Sequence, residues 1–274
     1  MSLFGHELAH KPGLPAKARL YARLFGNPNL SETMRAVAFR GATGDLDLSG
    51  KDILDAGCGW GPYSYDLARR FPTARVRGVE ASPNTIRKNR AIRDALGLKN
   101  LEFEAMDLGD FSERERYDFA LLIDVLEHIP DDLGAARRVA GALRPGGLLY
   151  AHVPTDRYRA FFNRRYAAAM DGFPEHVRSG YSPATLRALL ESAGLEVLRT
   201  GRGMRFVSSL VMETLGSVPV LSDSRLFSAL AAIPARYLLP LDRLCPASWG
   251  NTTWALARRP ASPQMAPAGV GAAA

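Results

Sequence analysis

Lys51-Asp52-Ile53-Leu54-Asp55-Ala56-Gly57-Cys58-Gly59-Trp60-Gly61 is the stretch on which the fold turns. Its first half has the apolar run of a short buried parallel strand. Glycines at alternate positions then strip the side chains from the turn that follows. Glycine belongs where the chain takes positive φ or where a ligand lies against its peptide groups. Residues 62–71 read as a helix that begins on Pro62, a residue suited to a first turn, and its N-terminal dipole faces the same spot. Two cofactor classes use such a loop, and spacing separates them. A dinucleotide fingerprint is G-x-G-x-x-G, whereas the pattern here is G-x-G-x-G. Asp55, just ahead of the first glycine, adds a carboxylate beside the ligand. That suits a cationic amine or sulfonium better than a diphosphate.

Outward from the loop, strand and helix patterns alternate. Residues 75–80 form a second strand ending in Glu80, an acid placed to accept hydrogen bonds from both hydroxyls of a ribose. Ser82-Pro83 caps a helix that runs to about Leu96 and ends at Gly97. Residues 101–105 form a third strand with Met106-Asp107-Leu108 at its carboxyl end, where open α/β sheets bind ligands. Asp107 can accept there from an exocyclic adenine amine, with Met106 and Leu108 flanking the ring. A loop Asp capping a turn is the alternative.

The fourth strand, 117–123, runs into Asp124-Val125-Leu126-Glu127-His128-Ile129-Pro130. A histidine and two acids at a strand's carboxyl end stand where an acceptor meets the cofactor. An imidazole with an ordinary pKa near 6.5 can take a proton from a hydroxyl. The Glu127-His128 pair can equally well pack and hydrogen-bond beneath the site. No second histidine lies within about three to five residues of His128, so no metal site is expected. A helix over 131–143, a turn at Arg144-Pro145-Gly146-Gly147 and a fifth strand over 148–153 continue the alternation. The whole implies an α/β, doubly wound, mostly parallel sheet with helices on both faces.

Asp55 with its G-x-G-x-G loop, Glu80, Asp107, D-V-L-E-H-I-P and L-R-P-G-G come in this order. Together they resemble the class I S-adenosylmethionine-dependent methyltransferases of the small-molecule type, over residues 51–153. The resemblance implies a seven-stranded sheet in the order 3-2-1-4-5-7-6, with the last strand antiparallel. It implies S-adenosyl-L-methionine as cofactor, with Asp55, Gly57, Cys58, Gly59 and Gly61 by the methionine part and Glu80 and Ala81 at the ribose. Asp107 and Leu108 then lie at the adenine, and Asp124 joins the cofactor-binding candidates. An Asn-Pro-Pro-Tyr motif of base-amine methyltransferases is absent after the fourth strand, which speaks against nucleic acid. His176-Val177-Arg178 followed by Tyr181-Ser182-Pro183 also looks like this group. The catalytic candidates are therefore His128, Glu127, His176 and Tyr181, with packing as the competing role for the latter two.

Around that core, residues 1–50 hold two helices, 16–25 and 31–40, the second opened by Ser31-Glu32 and closed by Gly41. Tyr21, Arg23, Arg35 or Arg40 on them can meet a ligand carboxylate, with solvated faces and packing as the favoured alternative. A helix over 183–193 and a sixth strand over 195–200 follow the arginine- and aromatic-rich excursion 154–181. The seventh strand lies at 251–257, so the core comprises 51–202 and 250–260. Between them, 203–249 is an apolar helical insert, either a lid or an interface, and the uncharged residues from 261 to 274 are expected to be a disordered tail.

The chain has 274 residues, 47% hydrophobic and 23% charged, as in an ordinary globular enzyme. No apolar run approaches the roughly 18 residues of a membrane span, and no signal segment is evident. The two cysteines, Cys58 and Cys245, fit a reducing compartment. A cytoplasmic location follows, peripheral to a membrane if the insert rests on one, where Arg225, Arg236 and Arg243 would meet anionic head groups. The net charge of +7 is scattered over helices rather than gathered into a stripe with aromatics, which disfavours nucleic-acid binding. The expected partners are a small or lipid-like acceptor and a second copy in a homodimer. Alternatives are a nicotinamide-dependent oxidoreductase, disfavoured by the glycine spacing, and a non-catalytic cofactor-binding subunit of a partner enzyme.

Overall fold

The computed structural model describes residues 6–26, 29–171, 176–217, 225–246 and 248–261. Seven strands, β1 (Asp52–Ala56), β2 (Arg75–Glu80), β3 (Leu101–Ala105), β4 (Tyr117–Ile123), β5 (Leu143–Pro154), β6 (Glu196–Gly203) and β7 (Thr252–Arg258), form one sheet. Its order is β3-β2-β1-β4-β5-β7-β6. Strands β1 to β5 pair in parallel, and β7 runs antiparallel to both β5 and β6. Nine described helices surround the sheet: α1 (Ala16–Phe25), α2 (Leu30–Thr43), α3 (Pro62–Arg70), α4 (Pro83–Ala95), α5 (Asp132–Ala142), α6 (Arg164–Asp171), α7 (Pro183–Ser192), α8 (Phe206–Ser217) and α9 (Arg225–Leu238).

The alternation of side chains along each strand builds two cores. In β4, Ala120 and Leu122 face one way, with Leu54, Leu149 and Val153, and pack on Ala136 and Val139 of α5 and Leu186 and Leu190 of α7. Phe119 and Leu121 face the other way, with Ile53, Val76 and Tyr150, and pack on Phe39 of α2, Leu67 of α3 and Ile86 of α4. Each Val, Leu, Ile or Phe side chain among them, fully buried, contributes about 1.5–3 kcal/mol. The cofactor side of the molecule is thereby fixed: the carboxyl ends of β1 to β4 open on one edge between the two helical layers.

Local signals decide most element ends. Ser82 caps α4 by accepting from Thr85 N–H, and Ser182 caps α7 by accepting from Thr185 N–H. Helix α2 departs from the expected 31–40. Its cap is Asn29, whose side chain accepts from Ser31 N–H, and it runs through Gly41 to Thr43 because Phe39 and Ala42 bury against the sheet. Burial outweighs the roughly 1 kcal/mol that a mid-helix glycine costs. The expected turn at 144–147 is likewise part of β5. Gly146 takes φ 81° there, and the register against β4 shifts between Tyr117 and Phe119.

The insert is helical: α8, α9 and a 3-10 turn at Leu239–Leu244. It docks on the N-terminal cap, where Leu30 and Met34 of α2 meet Ala232, Ala235 and Leu239. Asp242 of the turn caps α8 by accepting from Arg205 and Ser208 N–H at 2.8 and 3.0 Å. Glu213 of α8 accepts from the N–H groups of Phe161, Phe162 and Asn163, which ties the excursion after β5 to the insert. The residues from 262 to 274, expected as a disordered tail, lie outside the described residues.

Candidate active site

The glycine loop is held from below by β2. Gly57 and Cys58 donate their N–H groups to Val79 O at 2.9 and 2.8 Å, and Gly61 N–H returns to Cys58 O. Gly57 has φ 73°, and a Cβ there would stand 2.6 Å from Val125, so neither the backbone nor the neighbour admits a side chain. Gly59, at φ 51°, faces open space. Its N–H donates to Glu80 Oε2 at 3.3 Å and its carbonyl accepts from Asn89 Nδ2 at 2.8 Å. Ser82 N–H donates to the other oxygen of Glu80 at 3.1 Å. Two backbone donors thus aim the half-buried Glu80 carboxylate along the rim of the loop, with Ala81 exposed beside it. Asp107 is exposed at the end of β3 and accepts from Gly109 N–H at 2.6 Å, while Leu108 is buried next to it.

Asp55 lies deeper than its sequence position implies. It is 2% exposed and accepts from Ser64 Oγ of α3 at 2.6 Å. Burial pushes its carboxyl up to about 6, against the lowering effect of the Ser64 hydrogen bond. Burial likewise pushes the Cys58 thiol well up.

At the end of β4 the chain turns sharply. Asp124 has φ 52°, in the left-handed region that an aspartate tolerates and most residues avoid. Its oxygens meet Arg35 Nε of α2 at 2.5 Å and His152 Nδ1 of β5 at 2.8 Å. Burial alone raises this carboxyl, but Arg35 and then His152 outweigh it and hold it down to about 2. Of the N-terminal arginines, Arg35 therefore reaches the site, whereas Arg40 pairs with Asp66 of α3. Neither Arg35 as partner of Asp124 nor His152 is visible in the sequence, because their strand and helix neighbours are far apart along the chain.

Beyond Asp124 the chain makes a 3-10 turn, Leu126–His128. Glu127 is 0% exposed, and among the described residues neither of its oxygens has a hydrogen-bond partner. Burial, with the charge of Asp124, pushes its carboxyl well above the usual range. The segment 176–181 clamps this turn. Val177 N–H donates to Glu127 O at 2.9 Å, and Arg178 donates to the carbonyls of Leu126, Ile129 and Pro130. Tyr181 OH donates to Asp132 Oδ2 at 2.6 Å. Tyr181 is thus buried in the clamp, and only His176 of the two distant catalytic candidates joins His128. Their rings meet edge-on, with centroids 4.7 Å apart. Glu127, His128 and His176 each offer one ligand atom, all within 4.8 Å of one another. His176 is distant from His128 in sequence and near it in space.

A parallel sheet with a glycine loop at its first strand and an acid at its second defines a nucleoside-cofactor enzyme of the doubly wound class. The chain belongs to the methyltransferase-domain family, which it matches over residues 22–200. It is a class I S-adenosylmethionine-dependent methyltransferase. Among curated relatives, the ubiquinone biosynthesis O-methyltransferase of Neisseria meningitidis is 26% identical over 170 residues, 60% of this chain and 71% of that one. Among solved structures, a putative sarcosine dimethylglycine methyltransferase from Galdieria sulphuraria has a TM-score of 0.58 at 20% identity, covering 84% of this chain and 86% of the other. Coclaurine N-methyltransferase, bound to N-methylheliamine and S-adenosylhomocysteine, has a TM-score of 0.54 at 14% identity, covering 82% and 72%. These two likenesses are likenesses of fold.

Proposed function

We propose that the chain methylates a hydroxyl oxygen of a small, ring-bearing, lipid-like acceptor at the end of β4. The observation that carries the acceptor side is the Glu127, His128 and His176 cluster, placed beyond Asp124 at the mouth of the cofactor cradle. Oxygen as the methylated atom and a lipid-like body come from the likeness to the meningococcal relative.

The cradle fits an adenosyl group. Open space stands over Gly59, Glu80 is aimed by two N–H groups, and Leu108 offers a buried apolar face beside Asp107. Glu80 accepts from the ribose hydroxyls and Asp107 from the adenine amine. Asp55 holds α3 against the loop through Ser64 and adds negative potential beneath it. Arg35, anchored through Nε to Asp124, supplies positive charge for the ligand's carboxylate. When bound, the cofactor supplies a methyl group on positively charged sulfur. The residues around it align the acceptor oxygen in line, and His128 activates its hydroxyl. His128 would take the hydroxyl proton, so that the acceptor oxygen would meet the cofactor's methyl group as an alkoxide or phenoxide.

The lipid-like reading gives the insert a use. Phe206, Leu210, Leu230, Tyr237, Leu241 and Leu244 are exposed on it, an arrangement suited to an apolar tail or the membrane surface that holds one. The site is tested with His128→Ala on phenolic acceptors with and without an isoprenoid chain. Turnover is expected to fall about 10² to 10⁴-fold while cofactor affinity stays unchanged. Turnover within a few-fold of the parent would remove His128 from the chemistry.

A further inference from the structure

We infer that the cavity between α2, the edge strand β6 and the 3-10 turn Leu239–Leu244 is a binding site for a small organic phosphate. It encloses about 580 Å³, the size of a small-molecule pocket, and its walls include Arg199 and Arg202 of β6, Arg205 just beyond that strand and Arg243 of the turn. None of its lining residues belongs to the cofactor cradle or to the turn after β4. The site therefore stands or falls independently of the acceptor.

Charge sets the head group. Arg199 is paired with Asp45 at 3.2 Å, so that cation is already met. Asp242, the other acid on the wall, has its two carboxylate oxygens on the N–H groups of Arg205 and Ser208. Arg202, Arg205 and Arg243 have no ion-pair partner among the described residues. Arg202 donates to Thr155 Oγ1 and Gly250 O, Arg205 donates to the carbonyls of Arg202 and Cys245, and Arg243 is exposed. Burial, and then the charge of Arg159, hold the Arg202 guanidinium below its ordinary range, as happens where cations crowd without a counter-ion. Unmatched guanidiniums around one space suit a group with about two negative charges and several acceptor oxygens, a phosphate monoester rather than a carboxylate.

The remaining wall sets the body of the ligand. Trp254 of β7 lines the cavity, its indole stacked on Tyr150 with ring centroids 6.3 Å apart. A Cβ at Gly201 would stand 2.6 Å from that indole, so only glycine lets β6 lie against it. Met34 and Met204 add apolar wall that adapts to shape, and together these suit a planar or apolar body. A second observation lies where α2 meets β6. The place a Cβ at Gly203 would take is 3.1 Å from Ala38 Cβ, 2.6 Å from Thr252 Oγ1 and 3.8 Å from His152 Nε2. Both polar atoms are buried without a hydrogen-bond partner among the described residues. Glycine at 203 leaves that place to a ligand oxygen or an ordered water, which relieves the two orphaned atoms.

The experiment saturates the full chain with S-adenosylhomocysteine, so that the cradle is filled, and titrates it with phenyl phosphate and with inorganic phosphate by calorimetry. One equivalent of phenyl phosphate is expected to bind, more tightly than inorganic phosphate, and to raise the melting temperature as its concentration rises. Arg202→Gln and the exposed Arg243→Gln are each expected to weaken it about tenfold, while unchanged S-adenosylhomocysteine affinity reports that each variant is folded. Vesicles containing phosphatidic acid that displace phenyl phosphate would assign the phosphate to a lipid head group, and failure to displace it would assign a soluble molecule. Absence of saturable phenyl phosphate binding in the parent, or undiminished affinity in the folded double variant, overturns the site. Equal affinity for the two probes overturns the part given to Trp254 and the methionines.

Discussion

At the scale of single residues, the site separates groups that hold the cofactor from groups that pay an electrostatic cost to be there. Glu80 is of the first kind. Replacing it with Ala removes a charge-assisted acceptor, and cofactor affinity is expected to fall by about 1.5–3 kcal/mol in a calorimetric titration. Asp55 and Glu127 are of the second kind, and Glu7, in the N-terminal 3-10 turn His6–His10 outside the site, bears the same cost. Burial raises Asp55 to about 6, Glu7 to about 7, and Glu127 well above its ordinary value. An acid whose folded pKa is raised holds its proton in the native state over a window where the unfolded chain has lost it. Stability then declines as pH rises through that window. Asp124, held down to about 2, acts the other way, and its contribution is lost only as pH falls from about 4 towards 2. The raised acids, Glu32 among them, titrate across this range, the lowered acids below it, and the lowered His10 opposes them alone, so the protein is expected to melt higher near pH 5.5 than near pH 7.5. Scanning calorimetry at constant ionic strength checks the sign.

At the scale of elements, one carboxylate organises the excursion after β5. Glu213 of α8 collects three consecutive N–H groups, from Phe161 to Asn163, at 2.9 to 3.0 Å. Glu213→Ala would leave these donors unmet and uncouple the excursion from the insert. Hydrogen bonds to a charged group are worth about 1.5–3 kcal/mol. Limited proteolysis is expected to cut near residues 157–163 faster in the variant, with the cofactor site, built on β1 to β4, still binding. Cofactor affinity lost to the same extent as proteolytic resistance would show that the two regions are one cooperative unit.

At the scale of the whole molecule, the insert both completes a core and exposes an apolar surface. Its inner face covers Leu30 and Met34 of α2, so deleting it would strip the N-terminal cap as well. Its outer face carries Leu241 and Leu244, 45% and 84% exposed, with Arg243 between them. Leu241→Glu combined with Leu244→Glu therefore tests membrane contact without touching the core. Binding to vesicles containing phosphatidylserine is expected to drop at least about tenfold in a sedimentation assay, and binding of the parent to weaken with salt. Equal binding of parent and variant would leave the insert with its packing role alone. None of the described helices is long and apolar enough to cross a membrane.

The alternation of strands and helices, the glycine loop and the places of Glu80 and Asp107 at strand ends were legible in the chain itself, while the order of strands came with the family resemblance. They depend on short-range facts: positive φ at Gly57, apolar runs of strand length, and Ser82 and Ser182 as caps. Local periodicity carries such facts because each is settled within a few residues. What the tertiary structure alone decided are the pairings across the sheet edge. Arg35 and His152 meet at Asp124, His176 arrives beside His128, Asp55 turns inward to Ser64, and Gly41 stays helical. Apart from Asp55 and Ser64, which lie nine residues apart on adjacent elements, these follow from burial and hydrogen bonding between segments far apart in sequence, where no spacing rule operates and only the packed sheet brings the partners into contact.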